Sequence, residues 1–424
     1  MRPQEGFLYP AFSLQSNGEA WSVGNVKEWP QGIWALLLDS FVSNLGFYLL
    51  VPLIAVYLTH ELGWPAWQAG VILAVRQLSQ QGLAPFGGQW GDRLGYRTAV
   101  VLGMEIRAVG FILFGVLHSV TGILLASVLS GLGGALFGPA DAAALAASVS
   151  DRQRAEIYSW RVVFGNTGMI LGPVVGAYLL SIQFAIVAWL AGLLFFFAGV
   201  MTWRFYPLAL GRRPKPGTEA PGWSAVLRHR PFVQITLIAS GYYLLNSQLT
   251  ILVPLTVMAQ HGPSALIGWL LGVYSGTVVL LQPWVSRKTR HWPQSWALVG
   301  GLAGGGIAMA SGILSRVTLD SLFITMILFA GASMLVNPAL YQLTAELADP
   351  AAFGRYYGFS RLSLGIGGSL GNAVGGLLVS LGESLALPIL PWVMLAGLGA
   401  VSALLMARAI PPSIKKVANA VDVS

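Results

Sequence analysis

Runs of roughly 20 apolar residues follow one another along almost the whole chain, separated by short polar turns. Hydrocarbon offers the backbone no hydrogen-bond partner, so runs of this length form helices, whereas the strands of a membrane barrel would alternate. Charged residues make up only 9% of the 424 residues and hydrophobic residues 55%, with a mean hydropathy of +0.69. So few charges cannot cover a soluble protein of this size. The sequence therefore predicts an all-α integral membrane protein.

The apolar runs fall into two groups of six, which predicts twelve transmembrane helices. The expected spans lie at residues 33–58, 67–88, 98–117, 122–147, 162–180, 184–203, 232–258, 266–285, 296–314, 322–345, 357–381 and 388–406. The predicted units are an N-terminal segment at 1–32, a six-helix bundle at 33–203, a linker at 204–231, a second bundle at 232–406 and a tail at 407–424. The first segment lacks the pattern of a cleaved signal peptide.

Basic residues predict the orientation, because short loops rich in Lys and Arg stay in the cytoplasm. The turns at 93–97, 152–154 and 287–290 and the linker are basic, whereas the loops on the other side lack Lys and Arg except for Arg316. Both termini are therefore expected in the cytoplasm. The net charge of +8 resides mostly in these turns, so no nucleic-acid partner is implied.

The two groups of spans also match each other in sequence, which indicates a duplicated six-helix unit. Pro139 in the fourth span has an equivalent in the tenth span, Pro338. The series Arg161, Gly165, Gly168 and Gly176 returns as Arg361, Gly365, Gly368 and Gly376. Since these matches follow the order of the spans, we predict two pseudo-symmetric bundles around a central cavity.

A tight charged turn joins the second and third spans, with the sequence Gly88-Gln89-Trp90-Gly91-Asp92-Arg93-Leu94-Gly95-Tyr96-Arg97. Glycine permits the reversal, and the charges cannot lie unpaired in hydrocarbon, so the turn lies at a membrane surface. This order resembles the signature loop of the major facilitator superfamily, in which the Asp caps a neighbouring helix and holds one conformation. The resemblance implies a gating role for Gly88, Asp92, Arg93, Gly95 and Arg97. An ordinary surface turn is the alternative.

Glycines in the fifth span, Gly165, Gly168, Gly172 and Gly176, lie on one helix face and allow another helix to approach closely. Pro173 adds a local kink. The run resembles the antiporter motif of drug:proton exchangers, where it packs against the opposite bundle, and this implies a gating role for these five residues. A generic packing face explains the glycines equally well.

Six ionisable residues inside spans are candidates for proton coupling, because charges in a membrane are unfavourable and usually functional. They are Asp39, Arg76, Glu105, Arg107, Asp141 and Glu346. Arg76 shares its helix side with Gln77 and Gln80 and is the expected partner of a carboxylate. Arg107 is favoured over Glu105 to line the cavity. For Asp141 and Glu346, capping or pairing with loop arginines is an equal alternative.

The most specific hypothesis is that Asp39 carries the coupling proton, that Arg76 tunes it, and that Asp39 also contacts the substrate. A carboxylate taken out of water holds its proton more tightly, while a nearby guanidinium favours the charged form. A cationic substrate would then displace the proton on one side of the membrane, and protons would displace the substrate on the other.

Tyr242, Tyr243 and Asn246 in the seventh span combine aromatic surface with hydrogen-bonding groups, which suits a flat organic cation. Ordinary bundle packing is the more common reason for such aromatics. The chain has no cysteine, its five histidines are dispersed, and it lacks a P-loop. We therefore expect no metal site, no cofactor and no enzymatic activity.

Several strings are similar to the MdtH-type multidrug transporters among the twelve-helix drug:proton antiporters of the major facilitator superfamily. They are Arg76-Gln77-Leu78-Ser79-Gln80-Gln81-Gly82, Ser130-Gly131-Leu132-Gly133-Gly134, Gly358-Phe359-Ser360-Arg361-Leu362 and Leu390-Pro391-Trp392-Val393-Met394-Leu395. Two positions depart from the pattern. Ser127 replaces an arginine that many drug antiporters carry in the fourth span, and Asp141 stands where a basic residue is expected.

The resemblance implies a bacterial inner-membrane protein that exports amphipathic, often cationic, small molecules in exchange for protons by alternating access. Its expected partners are the lipid bilayer, protons and small-molecule drugs, and a monomer is expected. A lipid flippase or a metabolite exporter on the same scaffold remains an alternative, because a fold does not fix a substrate. A non-transporting receptor or scaffold is the alternative from another class.

Overall fold

The apolar runs fold into helices, and the described residues of this computed structural model contain no strand. The structure describes residues 33–84, 86–87, 90, 94–148, 151–206, 223–289, 292–348 and 353–409. Within these ranges the first six long helices are α1 Ile33–Val56, α2 Ala66–Gly82, α3 Tyr96–Phe114, α4 Val120–Ser148, α5 Asp151–Leu180 and α6 Phe184–Phe205. A π-helical turn, Tyr57–Glu61, extends α1.

The six long helices of the second half follow a short helix, Trp223–Arg228, which lies inside the predicted linker. Helix α7 has two pieces, Arg230–Asn246 and Leu252–Ala259, joined by a 3-10 turn. The others are α8 Ser264–Thr289, α9 Gln294–Ser311, α10 Leu322–Leu347, α11 Leu362–Ser384, preceded by Phe353–Ser360, and α12 Leu390–Ala409. The exact bundle boundaries stay predictions, since residues 207–222 and both terminal segments lie outside the described residues.

Ten of these twelve helical segments are long and apolar enough to cross a membrane by length and composition. The other two are α2, which has 17 residues including Arg76 and four glutamines, and α3, which carries Arg97, Glu105 and Arg107. Both are rich in polar groups because they supply part of a central site. Helix α5 begins at Asp151 rather than at the predicted 162, since a polar stretch continues the helix beyond the apolar run.

The helices pack as two halves of six. In the first half α1 contacts α5 and α6, α3 contacts α4 and α6, and α2 contacts α4. In the second half α9 contacts α10 and α12, α8 contacts α10, and α7 contacts α11 and α12. The main contacts between the halves are those of α2 with α11 and of α5 with α8. The predicted architecture of two six-helix bundles is confirmed.

Small residues bring the halves together at one end of the molecule. A Cβ atom on Gly376 of α11 would lie 3.0 Å from Gly70 N of α2, and one on Gly268 of α8 would lie 2.7 Å from Pro173 O of α5. The Trp67 N–H donates to Ser380 Oγ at 3.0 Å at the same end. We call this the closed end; α1 finishes there, whereas Gly95 and Arg97 lie at the opposite end.

The glycine series of α5 does not pack against the opposite bundle, as the resemblance implied, but against α1 of the same half. A Cβ on Gly172 would lie 2.8 Å from Leu45 O and 3.0 Å from Leu49 N, both on α1 of the same half, and Gly165, Gly168 and Gly176 also meet α1. The expected contact with the opposite bundle instead involves Pro173, through its carbonyl oxygen. The reason is that different faces of one helix contact different neighbours. The glycine face of α5 packs on α1, and the face that carries the Pro173 carbonyl packs on α8.

Two of the predicted gating residues in the charged turn, Gly95 and Arg97, are described. Gly95 has φ +83°, a conformation that favours glycine, and precedes the first turn of α3. The guanidinium of Arg97 donates to Trp203 O at the end of α6 and lies 4.5 Å from the centroid of the Trp203 ring. The predicted gating residues Gly88, Asp92 and Arg93 lie outside the described residues, so their role stays a prediction.

Candidate functional site

A cavity of about 780 Å³ lies between the two halves. Its wall is built from α1 to α5 on one side and from α7, α8 and α11 with its preceding turn on the other. It begins near Leu73 and Leu271, beside the closed end, and extends to Ala84, Arg161 and Arg361 at the opposite end. A smaller cavity of about 250 Å³ adjoins it and reaches Tyr242 and Asn337 in the second half.

Two buried arginines dominate the wall contributed by the first half. Arg76 on α2 and Arg107 on α3 are each 2% exposed, and both line the cavity. Gln80 Oε1 accepts a hydrogen bond from Arg76 Nη1 and another from Arg107 Nη2, each at 3.0 Å. Arg76 Nη2 also donates to Gln77 Oε1 at 3.1 Å. A glutamine amide, rather than a carboxylate, therefore joins the two guanidinium groups.

Aromatic rings complete the surroundings of these arginines. Phe47 of α1 has its ring centroid 5.1 Å from Arg76 Cζ and 5.2 Å from Arg107 Cζ. Phe111 and Phe195 lie 5.5 and 5.2 Å from Arg107 Cζ. Ring faces attract a guanidinium and stabilise its charge in part, but they accept no strong hydrogen bonds.

Glycines of α4 explain how α2 and α3 come close enough to bring the arginines together. A Cβ on Gly131 would lie 2.5 Å from Arg76 O, and one on Gly133 would lie 2.5 Å from Arg107 N. A Cβ on Gly134 would lie 2.9 Å from Arg107 Nη1 and 3.0 Å from Gln80 Cδ. The glycine-rich string in the fourth span is thus the surface on which the Arg–Gln–Arg group rests.

The structure corrects the expected pairing of Asp39 with Arg76. Asp39 is 0% exposed, does not line the cavity, and accepts a hydrogen bond from Thr202 Oγ1 of α6 through Oδ2. The charges that act on it are those of Asp141 and Arg161. Asp39 and Arg76 lie on different helices, and the sequence does not give the rotation of one helix against another, which decides their partners. A direct contact between Asp39 and a substrate is likewise not supported in this conformation.

An ion pair between Asp141 and Arg161 connects Asp39 to the cavity. Arg161 Nη2 of α5 donates to Asp141 Oδ2 of α4, and Arg161 also lines the cavity. Asp141 is 2% exposed, and none of the described residues donates to its Oδ1. Arg161 was missed as a site residue, although its recurrence as Arg361 marked it; Arg361 lines the cavity as well.

The other carboxylate candidates lie away from the cavity. Glu105 is half-buried and its side chain meets Gly199 of α6, whereas Arg107, two residues on, faces the cavity. Glu346 is exposed near the end of α10. Neither residue lines the cavity, and their assignment to proton coupling is not supported by this geometry.

The aromatic group of α7 is divided between the two cavities. Tyr243 and Asn246 line both cavities, together with Tyr274 of α8. Tyr242 is 1% exposed, lines only the smaller cavity, and stacks on Phe329 with ring centroids 5.8 Å apart. Tyr243 OH donates to Asn337 Oδ1 at 3.4 Å. This wall offers aromatic surface with neutral polar groups.

The cavity wall is positively charged, whereas the sequence suggested a site for a cationic substrate. Four arginines line it, namely Arg76, Arg107, Arg161 and Arg361, and the described lining residues include no Asp or Glu. Only Arg161 among these four forms an ion pair within the described residues. The described part of the wall therefore offers no carboxylate to a cationic substrate. The described residues also contain no group of three potential metal ligands.

Two bundles of long apolar helices around a polar cavity that is sealed at one end define a membrane transporter. The chain matches the Major Facilitator Superfamily over residues 36–264 and 235–422, and it belongs to that family.

Bacterial relatives share a substantial part of the sequence. The chain is 37% identical over 371 residues to multidrug resistance protein MdtH of Cronobacter sakazakii, which covers 87% of this chain and 91% of the relative. It is 36% identical to multidrug resistance protein MdtH of Klebsiella pneumoniae, with the same coverage. The predicted resemblance is confirmed, and these relatives support a multidrug transporter.

Solved structures show the same fold at low sequence identity. A mutant of the nucleoside transporter NupG superposes with a TM-score of 0.79 at 11% identity, covering 89% of this chain and 100% of that chain. The peptide transporter POT in complex with sulfate gives a TM-score of 0.76 at 17% identity, covering 91% of this chain and 95% of that chain.

Proposed function

We propose that the protein exports amphipathic small molecules from the bacterial cytoplasm in exchange for protons. The observation that carries the proposal is the central cavity of about 780 Å³, which is sealed at one end and joined at the other to a buried carboxylate cluster. A cavity that opens to one side at a time is what alternating access requires. The multidrug resistance relatives support small molecules as the substrates.

The proposed coupling group is the cluster of Asp39, Asp141 and Arg161. It links α1, α4, α5 and α6, since Asp39 bonds to Thr202 and Asp141 bonds to Arg161. Protonation of either carboxylate would change the charge of this cluster, and protonation of Asp141 would free Arg161 to move at the cavity wall. A proton would thereby alter the packing of four helices of one half, which supports coupling of proton binding to a change of state.

The orientation and the assembly are part of the proposal. The distribution of basic turns supports an inner-membrane protein with both termini in the cytoplasm. In that orientation the cavity faces the cytoplasm, as required for loading an export substrate. A monomer is the proposed functional unit.

Two other functions compete with this one. A lipid flippase or a metabolite exporter would use the same scaffold, and a receptor would bind without transport. The buried carboxylates favour a proton-coupled exporter over a receptor, because ionisable groups inside a membrane are rarely retained without a function.

Everted membrane vesicles test the proposal. We expect an imposed pH gradient to drive accumulation of at least one of ethidium, Nile red and carboxyfluorescein, three dyes of different charge. A protonophore should abolish the accumulation, and vesicles without the protein provide the baseline. Accumulation unaffected by the pH gradient would exclude proton coupling, and binding without accumulation would favour a receptor.

A further inference from the structure

We propose that Arg76 and Arg107 bind a carboxylate, or an anionic group of similar geometry, on the substrate in the central cavity. The inference rests on the proposed transport function, because it assigns a chemical class to the substrate of that cavity. It replaces the cationic preference that the sequence suggested.

The first argument is the unused hydrogen-bonding capacity of the two guanidinium groups. Each guanidinium has five N–H donors. The described residues accept two hydrogen bonds from Arg76 and one from Arg107, and none of them accepts from the Nε of either residue. Since both side chains are 2% exposed, neither group is compensated by full hydration. The Nη donors that remain match the planar, two-oxygen geometry of a carboxylate.

The second argument is electrostatic. Arg76 and Arg107 act on each other as like charges, and their common acceptor, Gln80 Oε1, is neutral. No Asp or Glu occurs among the described residues that line the cavity. Buried charges are stabilised by an opposite charge in good geometry, and since the described lining residues supply none, an anionic ligand in the cavity would provide one. An anionic group would therefore gain more at this wall than a neutral or cationic one.

The third argument concerns the rest of the ligand. Phe47 lies beside both arginines, and across the cavity the second half presents Tyr243, Asn246 and Tyr274. A molecule with an anionic group at one end and an aromatic body would place its charge on the first half and its rings on the second. It would then contact both halves, as a substrate must if its binding is to bias their relative positions.

Equilibrium binding to purified protein in lipid nanodiscs tests the inference with matched probes. Dansylglycine carries a carboxylate, dansylglycinamide is the neutral equivalent, and N-dansylethylenediamine carries an ammonium group on a similar aromatic body. We expect dansylglycine to bind about tenfold or more tightly than the amide, the size expected for one charge-assisted contact. The amine should bind most weakly. Empty nanodiscs measure partition into lipid.

Variants then locate the site. Arg76→Gln and Arg107→Gln should each reduce the affinity for dansylglycine to about that for the amide, whereas Arg107→Lys should retain part of the preference. Arg408→Gln removes a charge from an exposed position of α12 and serves as the matched control. Retained binding of the amide shows that a variant is folded.

The inference is overturned if the wild type binds the amide or the amine as well as dansylglycine, or binds no probe. This comparison needs no variant and so does not depend on whether the substitutions fold. Retention of the full carboxylate preference in both Gln variants also overturns it. Proton-driven uptake of neutral or cationic dyes without a carboxylate preference would leave the transport function intact and reject only this site. Carboxylate binding without proton-driven flux would support this site and reject the transport function.

Discussion

At the scale of single residues, the buried carboxylate Asp39 is the group whose role can be tested most directly. In Asp39→Asn the amide oxygen can still accept from Thr202, so the helices should pack as before, but the side chain can no longer exchange a proton. We expect uphill dye accumulation in vesicles to fall to the level of membranes lacking the protein, while dye binding persists.

Glu105→Gln is the comparison for that experiment, because Glu105 is also a carboxylate within a span but faces Gly199 of α6 rather than the cavity. It should accumulate dye as the wild type does. If Asp39→Asn keeps normal proton-driven accumulation, the coupling group is a different one, and Asp141 is the next to test.

Removing one partner of the Asp141–Arg161 pair should destabilise the protein. Arg161→Gln leaves Asp141 buried without its cation, and breaking a buried pair in this way costs about 3 kcal/mol. We expect a lower Tm in thermal unfolding of the purified protein. The double variant Asp141→Asn, Arg161→Gln should regain much of the loss, because no unpaired charge remains. Equal Tm values for the single and double variants would show that the pair is not coupled energetically.

Some residues of the site could be predicted from the sequence because their type alone was informative. An arginine within an apolar run must face protein or water, so Arg76 and Arg107 were sound candidates. Their partners could not be predicted, since a partner is set by the rotation and spacing of helices that are distant in sequence. The contact between Arg107 and Gln80 spans 27 residues, and that between Asp39 and Thr202 spans 163.

At the scale of helices, the contact between α1 and α5 depends on the absence of side chains at the α5 glycines. Gly172→Leu would force a side chain into the backbone of α1, where Leu45 O and Tyr48 Cβ lie 2.8 and 2.9 Å from the position of its Cβ. Overpacking of this kind destabilises by about 1–3 kcal/mol or more. We expect a lower Tm and reduced dye accumulation.

Gly397→Leu on α12 is the matched control, since a Cβ at Gly397 would meet nothing within 4 Å and the residue is exposed. It should behave as the wild type. Normal stability and accumulation in Gly172→Leu would show that α1 and α5 separate readily at this point.

The locations of the helices could be predicted because length and apolarity specify a span. The residues at which helices end, and the helices that they contact, could be predicted less well. Helix α5 extends to Asp151 through polar residues that hydropathy does not count as part of a span. Its glycine face was assigned to the wrong neighbour, because four glycines on one face predict a close contact but do not say with which helix.

At the scale of the whole molecule, the closed end includes a close contact between two glycines of opposite halves, Gly376 and Gly70. Gly376→Leu would insert a side chain where Gly70 N lies 3.0 Å from the position of its Cβ, and would hold the halves apart there. We expect the population open at this end to increase.

Spin labels at Glu61 and Gln260, which follow α1 and α7 at the closed end, would report this opening as longer distances. The chain contains no cysteine, so labels attach only to introduced ones. Gly397→Leu again provides the control. Unchanged distance distributions in Gly376→Leu would mean that this contact does not hold the end closed.

The duplicated architecture was predictable from the order of repeated residues, but the charge of the cavity was not. Polar residues on α7 suggested a site for cations because the sequence does not show which side chains share a wall. Only the fold brings α2 and α3 together on the glycines of α4, and this makes the wall positive.

We expect the two arginines to make transport sensitive to the membrane potential as well. Moving one charge across a membrane changes the energy by about 2.3 kcal/mol per 100 mV. When the cavity turns outward, an interior-negative potential opposes the movement of Arg76 and Arg107, and a bound anion cancels part of that opposition. The protein that has released its substrate and taken up a proton returns with the full positive charge of both arginines, which the same potential draws inward. This electrical assistance to the return step would let export proceed faster in a polarised cell than in a depolarised one, at the same pH on both sides.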